Sequence, residues 1–383
     1  MNGSLRLTQN PLIRAFLIAL VSMGSVGSAS ACPVFLREAM TNLGAEKINL
    51  CALSDRYEKA REVIRGRGIP EPDRIADVIA PRFINLPDWE RAKKFGKSNP
   101  WKIYRPVPKT WGQWEVGRET LDGLAHRNEK AGVVIPLRVS EITALHSEAL
   151  AGLVPHPGEF RTYTAIGVQY LVTDAISRAE IQKLYEPAFM TPMAPGQRLV
   201  DWIPTRCVDE AQFSRPNQPK PPGIPRTQYF RDAKGVERQC GYYLYSTKPR
   251  DVPQALGVWA DRSAEVIEKW TNDPLGNDPL GNDLIDAVAK IERWFIAIHP
   301  FSDGNGRMSR YILDYYLESV GLPTPILANQ NADLTLRESE WSEEIVRGMV
   351  RHVGVLEACA RQPLRVGCET VELTAPFVFF WEK

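Results

Sequence analysis

Apolar residues recur at helical spacing most clearly between positions 284 and 298. Leu284, Val288, Ile291, Phe295 and Ile298 follow one another at intervals of 4, 3, 4 and 3, which predicts a helix with one buried stripe. Asn282 or Asp283 suits its cap, and Pro300 ends it. A second helix is expected from about Arg307 to Val320, closed by Gly321 and Pro323. Ile142, Leu145, Ala149 and Leu153 predict another, capped by Ser140 and stopped before Pro155. A further helix is expected over about 252–271. Residues 32–65 also read as helical, from Val34, Leu36 and Met40 through Tyr57 and Val63, until Gly66, Gly68 and Pro70 break the pattern.

Between these stretches the pattern changes. Tyr163, Ile166, Val168, Tyr170 and Val172 favour a strand over 162–173, and 174–186 reads as a short helix. Residues 227–230 and 241–245 flank a turn at Asp232–Gly235, which predicts a β-hairpin. Pro216, Pro219, Pro221, Pro222 and Pro225 make 214–225 an extended loop, and Asn272–Gly276 repeats as Asn277–Gly281, a loop lengthened by duplication. Residues 71–135 are mixed; their tryptophans, Trp89, Trp101, Trp111 and Trp114, are expected to pack rather than bind. The sum is a mainly α chain with a small β-hairpin flap. It divides into an N-terminal signal (1–31), a mixed region (32–135), a catalytic domain (136–362) with an insertion at 187–246, and a tail (363–383).

Composition adds little to this picture. The chain has 383 residues, 44% hydrophobic and 24% charged, which is ordinary globular usage. Lys and Arg number 47 against 46 Asp and Glu, so charge argues for no nucleic-acid partner. The N-terminus says more. Arg6 and Arg14 precede an apolar run, Ala15–Val21, and small residues lead to Ala29-Ser30-Ala31. That is the three-part pattern of a secretory signal, so the mature chain is expected to be exported, periplasmic or secreted. No later stretch is long and apolar enough to span a bilayer. Cleavage after Ala31 would leave Cys32 first, the arrangement of a lipoprotein. Position 29 is Ala, however, where lipoprotein signals carry a large aliphatic residue. Lipidating Cys32 would also strand one of Cys51, Cys207, Cys240, Cys359 and Cys368. Nearest-neighbour disulfides (32–51, 207–240, 359–368) are the expected pairing, and no C-x-x-C suggests zinc.

The chemistry is concentrated in twelve residues, His299-Pro-Phe-Ser-Asp-Gly-Asn-Gly-Arg-Met-Ser-Arg310. Gly304 and Gly306 allow a tight turn and close approach to a ligand. The helix that follows presents free N–H groups and its positive dipole end, an anion site. Arg307 and Arg310, three apart, reach from one face of its first turn towards two phosphates. Asp303 supplies one hard carboxylate, enough for a Mg²⁺ that also takes phosphate oxygens. His299 has the chemistry of a base near neutral pH. Singly, each has a plain alternative. A histidine at a helix end is often a core residue, Asp303 and Asn305 are good N-caps, and Asp303–Arg307 and Arg310–Asp314 are ordinary i,i+4 pairs. A calcium loop fails, because Arg307 and Met308 stand where a ligand and the turning glycine belong.

The segment resembles the Fic family signature H-x-F-x-[D/E]-G-N-G-R-x-x-R at all eight defined positions. Leu145-His146 and Pro157–Arg161 are similar to the family's L-H-x-x-L…G-x-[F/Y]-R stretch, with Ala149 where its second Leu belongs. The resemblance covers roughly 136–325 and implies a Fic-type helical bundle. It implies that His299 takes the proton from a Ser, Thr or Tyr hydroxyl of a target protein, whose oxygen attacks the α-phosphate of ATP. It implies further that Asp303 holds Mg²⁺, that Gly304, Asn305 and Gly306 stabilise charge through backbone N–H groups, and that Arg307 and Arg310 orient the phosphates. The hairpin at 227–245 would be the flap that takes the target segment as an added strand. The family's inhibitory [S/T]-x-x-x-E-[G/N] helix has its nearest forms at Ser54–Lys59 and Ser339–Glu344, and both fail at the last position. The motif grips phosphates without reading the rest of the donor, so UMP or phosphocholine transfer stays open beside AMP transfer, as does an idle binding module. An exported chain also lacks maintained ATP, which requires delivery into another cell or another donor.

Overall fold

In the computed structural model the described residues are 40–82, 86–95, 108–131, 134–163, 166–171, 201–204, 208–209, 229–231, 237–239, 241–272, 284–329, 332–336 and 338–370. The expectations for 1–31, Cys32, 174–186, 214–225, Cys207, Cys240, the repeat beyond Asn272 and the caps Asn282 and Asp283 lie outside them. The fold is mainly helical. Its helices are α1 (Leu50–Arg65), α2 (Leu86–Phe95), α3 (Pro108–Ala131), α4 (Val139–Ala149), α5 (Val252–Asn272), α6 (Leu284–Ile298), α7 (Asn305–Glu318) and α8 (Glu338–Arg361), with short helical turns at Ala76–Ile79 and Ala332–Thr335.

Helix α6 is the centre. It packs against α5, α7, α8 and the turn at 332–335. The expected stripe is buried, but so is nearly the whole circumference, Glu292 and Arg293 included. A helix enclosed on all sides has no solvent face for polar residues, so those it carries need internal partners. Arg293 finds them in the carbonyls of Asp333 (2.8 Å) and Leu336 (2.5 Å). Each fully buried Leu, Ile or Phe of the stripe contributes roughly 1.5–3 kcal/mol.

Helix α7 lies on α3 and α4, and α1 lies on α8. Leu53, Ile64, Trp89 and Leu121 of the N-terminal region share one continuous core with α5, α6, α7 and α8. The tryptophans there pack as expected where they are described. Trp89 is fully buried with its indole N–H on Asp77, and the carbonyl of buried Trp114 accepts from Tyr311. Among the described residues no helix is long and apolar enough to cross a membrane.

Two expectations need correction. Residues 40–49 are not helical; β1 (Met40–Leu43) and β2 (Glu46–Asn49) form an antiparallel hairpin, and α1 starts only at Leu50. Gly44 at the turn has φ +61°, open to glycine at no cost, and Asn49 Oδ1 caps α1 by accepting from Ala52 N at 2.8 Å. The second concerns the flap. Strands β6 (Tyr229–Arg231) and β7 (Glu237–Gln239) form the hairpin and take β5 (Val208–Asp209) at the edge. Residues Gly241–Tyr245 are instead β8, the middle strand between β3 (Ile166–Leu171) and β4 (Asp201–Pro204). Residues 237–239 lie nearer the expected turn than 241–245 and supply the hairpin's second strand, while 241–245 pairs with strands distant in sequence.

Candidate active site

The expected catalytic segment joins α6 to α7. Helix α6 ends at Ile298, and His299 takes a left-handed backbone conformation (φ +53°), alone among the described non-glycine residues. For a residue with a Cβ this costs roughly 1–2 kcal/mol. Outside contacts secure it. Arg161, 3% exposed, donates from Nε to His299 O (2.6 Å), from Nη2 to Ile298 O (3.3 Å) and Thr247 O, and from Nη1 to Tyr163 O (2.6 Å). Its backbone N–H reaches Pro300 O at 3.0 Å, and Phe160 forms an antiparallel bridge with Phe301.

The accounting of carbonyls continues through the turn. Asn305, buried, turns its side chain back on Phe301, with Nδ2 on the carbonyl (2.8 Å) and Oδ1 on the N–H (2.9 Å). Tyr163 Oη donates to Ser302 O at 2.7 Å. His146 accepts from Gly158 N at Nδ1 (2.7 Å), so Nε2 carries the hydrogen and donates to Asp303 O at 3.0 Å. Its ring also stacks on Phe301, centroids 3.7 Å apart, and burial holds its pKa below the ordinary value. Gly304 O takes Met308 N at 2.9 Å, the first bond of α7. Every carbonyl from Ile298 to Gly304 is thus engaged by the protein itself.

The N–H groups at the start of α7 are not. Neither Asp303 nor Asn305 caps the helix: the N-cap is Gly304 (φ +76°), without a side-chain cap. The geometry of a helix leaves the N–H groups of Asn305, Gly306 and Arg307 without intrahelical acceptors. Asp303 Oδ1 instead accepts Gly304 N at 2.6 Å, so this N–H is already committed. A Cβ on Gly304 would lie 1.9 Å from Leu150 Cδ1, while one on Gly306 would meet open space. The first glycine is therefore required by packing and backbone conformation. The second leaves room for a ligand against the backbone.

The two arginines do not act as a matched pair. Arg307 has a buried Nη1 with no hydrogen-bond partner, and burial lowers its pKa. Arg310 is ion-paired with Glu292 Oε1 and Asp333 Oδ2, each at 3.2 Å, and lies over the Trp341 ring. Asp314, expected opposite Arg310, pairs with Arg82 (2.6 Å) and Arg118 (3.5 Å) instead. Glu58 and Glu343, from the nearest inhibitory-helix forms, pair with Arg61 and Arg347 and touch neither motif arginine.

His299 is largely buried. Burial first, and Arg161 second, push its pKa down to about 4, so the ring is neutral at pH 7. Asp303 is exposed at the loop surface. Its single carboxylate, beside uncapped N–H groups, suits a Mg²⁺ that brings most of its ligands as phosphate and water. Among the described residues no cluster of three or more His, Cys, Asp or Glu could hold a metal alone. His146, Arg161, Tyr163, Glu292 and Asp333 complete the site. The first two stood in the sequence only as matching letters, and the other three carried no signal.

The fold and site define a helical bundle carrying an anion-accepting turn. Residues 227–317 match the model of the Fic/DOC family. Such domains serve in general as transferases that modify proteins with a nucleotide. The stretches around His146 and Arg161 lie outside the matched residues and pack directly on them. Among solved structures, the chain is similar to a Fic-domain-containing signaling protein from Bacteroides thetaiotaomicron, with 13% identity, covering 82% of this chain and 92% of that one, at a TM-score of 0.34. It is also similar to Fic-1 from C. elegans, with 14% identity, covering 91% of this chain and 77% of that one, again at 0.34. No curated protein matches the chain.

Proposed function

We propose that this chain transfers AMP from ATP to a Ser, Thr or Tyr hydroxyl of a target protein, with His299 as general base. One observation carries the reading. Every carbonyl of the turn is tied back into the protein, while the first N–H groups of α7 and Arg307 Nη1 are left without partners beside a neutral imidazole. An anion is what such a surface lacks.

His299 accepts the hydroxyl proton, and the oxygen attacks the α-phosphorus as pyrophosphate leaves. The N–H groups of Asn305 and Gly306, with Arg307, hold the phosphates and meet the developing charge. Asp303 would hold the Mg²⁺, which supplies charge neutralisation on those phosphates. Arg310 reaches a phosphate only on leaving its carboxylates. Backbone edges of the sheets formed by β3–β8 suit addition of a target strand. We place the reaction outside the cytosol in which the chain is made, a reading supported by the signal-like N-terminus and the disulfides.

The test is labelling. Purified protein is incubated with α-labelled ATP, Mg²⁺ and cell lysate, beside a panel containing UTP and CDP-choline. Protein labelled from ATP and lost in His299→Ala supports the proposal. Labelling only from another donor moves the activity to that donor, and no labelling from any donor refutes it.

A further inference from the structure

The segment 160–163 lies outside the motif, yet runs along it residue by residue. Phe160 bridges Phe301, Arg161 N–H takes Pro300 O, and Tyr163 Oη takes Ser302 O. Within it Arg161 stands out. The guanidinium meets four carbonyls, those of Tyr163, Thr247, Ile298 and His299. Two of these flank the sheet: Tyr163 precedes β3 and Thr247 follows β8, strands that pair through Ile166 and Tyr245. The other two belong to the end of α6 and the turn that carries the imidazole.

A buried cation is expensive unless a carboxylate neutralises it. Among the described residues Arg161 has no ion pair, and burial lowers its pKa. Carbonyl dipoles satisfy its donors without cancelling its charge. The planar fork of arginine is suited to four acceptors at once, which an ammonium with three donors is not.

We propose that Arg161 is the positioning residue of His299: its guanidinium ties the residues leading into β3 and out of β8, which meet at one end of that antiparallel pair, to the carbonyls of Ile298 and His299, and so fixes the base in its left-handed conformation relative to the sheet whose edge would receive the target. The proposal rests on the reading of His299 as general base. Its consequence is double. The fork holds geometry, and the uncancelled charge disfavours the imidazolium. The other groups acting on the ring oppose this. Asp303 from the turn and Asp333 from the 332–335 segment favour the protonated form, and so does the Ile296 carbonyl. Burial is the first cause that keeps the ring's pKa low, and Arg161 is the second.

The two consequences separate experimentally. The chain has five histidines, so the ring resonances can be assigned by single substitutions and titrated by NMR. In the wild type, His299 should titrate well below the ordinary histidine value. In Arg161→Gln its titration should move up by about one pH unit or more. In Arg161→Lys, which keeps the charge and loses the fork, the titration should stay near wild type, while kcat falls roughly 10- to 100-fold with little change in the KM for nucleotide. A wild-type ring titrating at its ordinary value overturns the proposal, and so does an unmoved titration in folded Arg161→Gln. If Arg161→Gln does not fold, the lysine variant decides, and an unchanged kcat there overturns it. The titration needs no turnover. A wild type that transfers nothing therefore refutes the functional reading and leaves the ring to judge this one.

Discussion

Arg310 Nη1 lies 3.2 Å from Glu292 Oε1, and Asp333 holds the other terminal nitrogen of the same guanidinium. Burial, and then Asp333, push the Glu292 carboxyl well above the usual carboxylate range. Asp333 Oδ2 lies 3.2 Å from Nη2. Removing either carboxyl leaves the other 3.2 Å from the guanidinium to hold it. Neither Glu292→Gln nor Asp333→Asn should thus shift the Kd for ATP by more than about threefold, while the double variant frees Arg310 and tightens binding about tenfold, or 1.4 kcal/mol. The double variant should also melt earlier, because it leaves a half-buried cation unpaired. Calorimetric titration of the four proteins checks this, and additive effects would show the two carboxyls to be independent.

The depressed pKa of His299 fixes the sign of two pH effects. The base works deprotonated, and its pKa in the folded chain is about 4. The acid limb of kcat/KM should fall near pH 4 to 5, leaving activity flat from pH 6 to 8 as far as this ring is concerned. An acid limb at pH 6.5 would contradict the geometry. Stability moves the same way. Between pH 6.5 and 4 the unfolded chain binds a proton that the folded chain refuses, so stability is full above 6.5 and falls by roughly 3 kcal/mol as pH drops through this window. Thermal melts of His299→Gln should lack this component.

What was legible in the sequence follows from how local the signal is. The stripe from Leu284 to Ile298 announces its helix, since the spacing is written within one element. The partners of Arg293 do not announce themselves, because they arrive from 332–336, some forty residues away, and Arg310 draws Asp333 from the same segment. The hairpin at 40–49 hid inside an expected helix, its strands being four residues each, too short for alternation to outweigh the helix that follows. At the site the motif marked the turn between α6 and α7, while the plain alternative of Asn305 as a helix cap fails, since it clasps Phe301. Arg161 was visible only as a matching letter, without its role. Its partners are backbone carbonyls, which every residue type carries, so no spacing of letters reveals them.

Gly304 tests whether the turn tolerates any side chain. Its φ of +76° costs an alanine roughly 1–2 kcal/mol, and the added Cβ would lie 1.9 Å from Leu150 Cδ1. Gly304→Ala should lose transfer at least about a hundredfold and unfold earlier. Trimming the obstacle with Leu150→Ala should recover part of the stability through relieved overlap, but not the activity, since the backbone penalty remains at the start of α7. Full recovery in the double variant would show that crowding alone demands glycine. Gly306→Ala is the control for fold: a Cβ there meets open space, so stability should hold while nucleotide affinity drops.

The disulfide between Cys359 and Cys368, the one expected pairing that falls wholly within described residues, closes a loop that docks on Asp77. Cys51 is also disulfide-bonded. Asp77 is buried and draws Arg365 Nη2 (2.9 Å), Lys93 Nζ (2.8 Å) and Trp89 Nε1 (2.7 Å), while its N–H takes Gly367 O at 2.8 Å. The bridge therefore holds the end of α8 against the segment before α2, and so fastens the N-terminal helices to the rest. Closing a loop of this length is worth about 2–3 kcal/mol. The double variant Cys359→Ala/Cys368→Ala should lose about that much in denaturant unfolding. Among the described residues the loop makes no hydrogen bond to residues 299–310, so transfer measured well below the melting temperature should stay within about twofold. A large loss of activity in a protein that still melts cooperatively would mean that the bridge shapes the site, and that the N-terminal helices are part of the catalytic unit rather than its support.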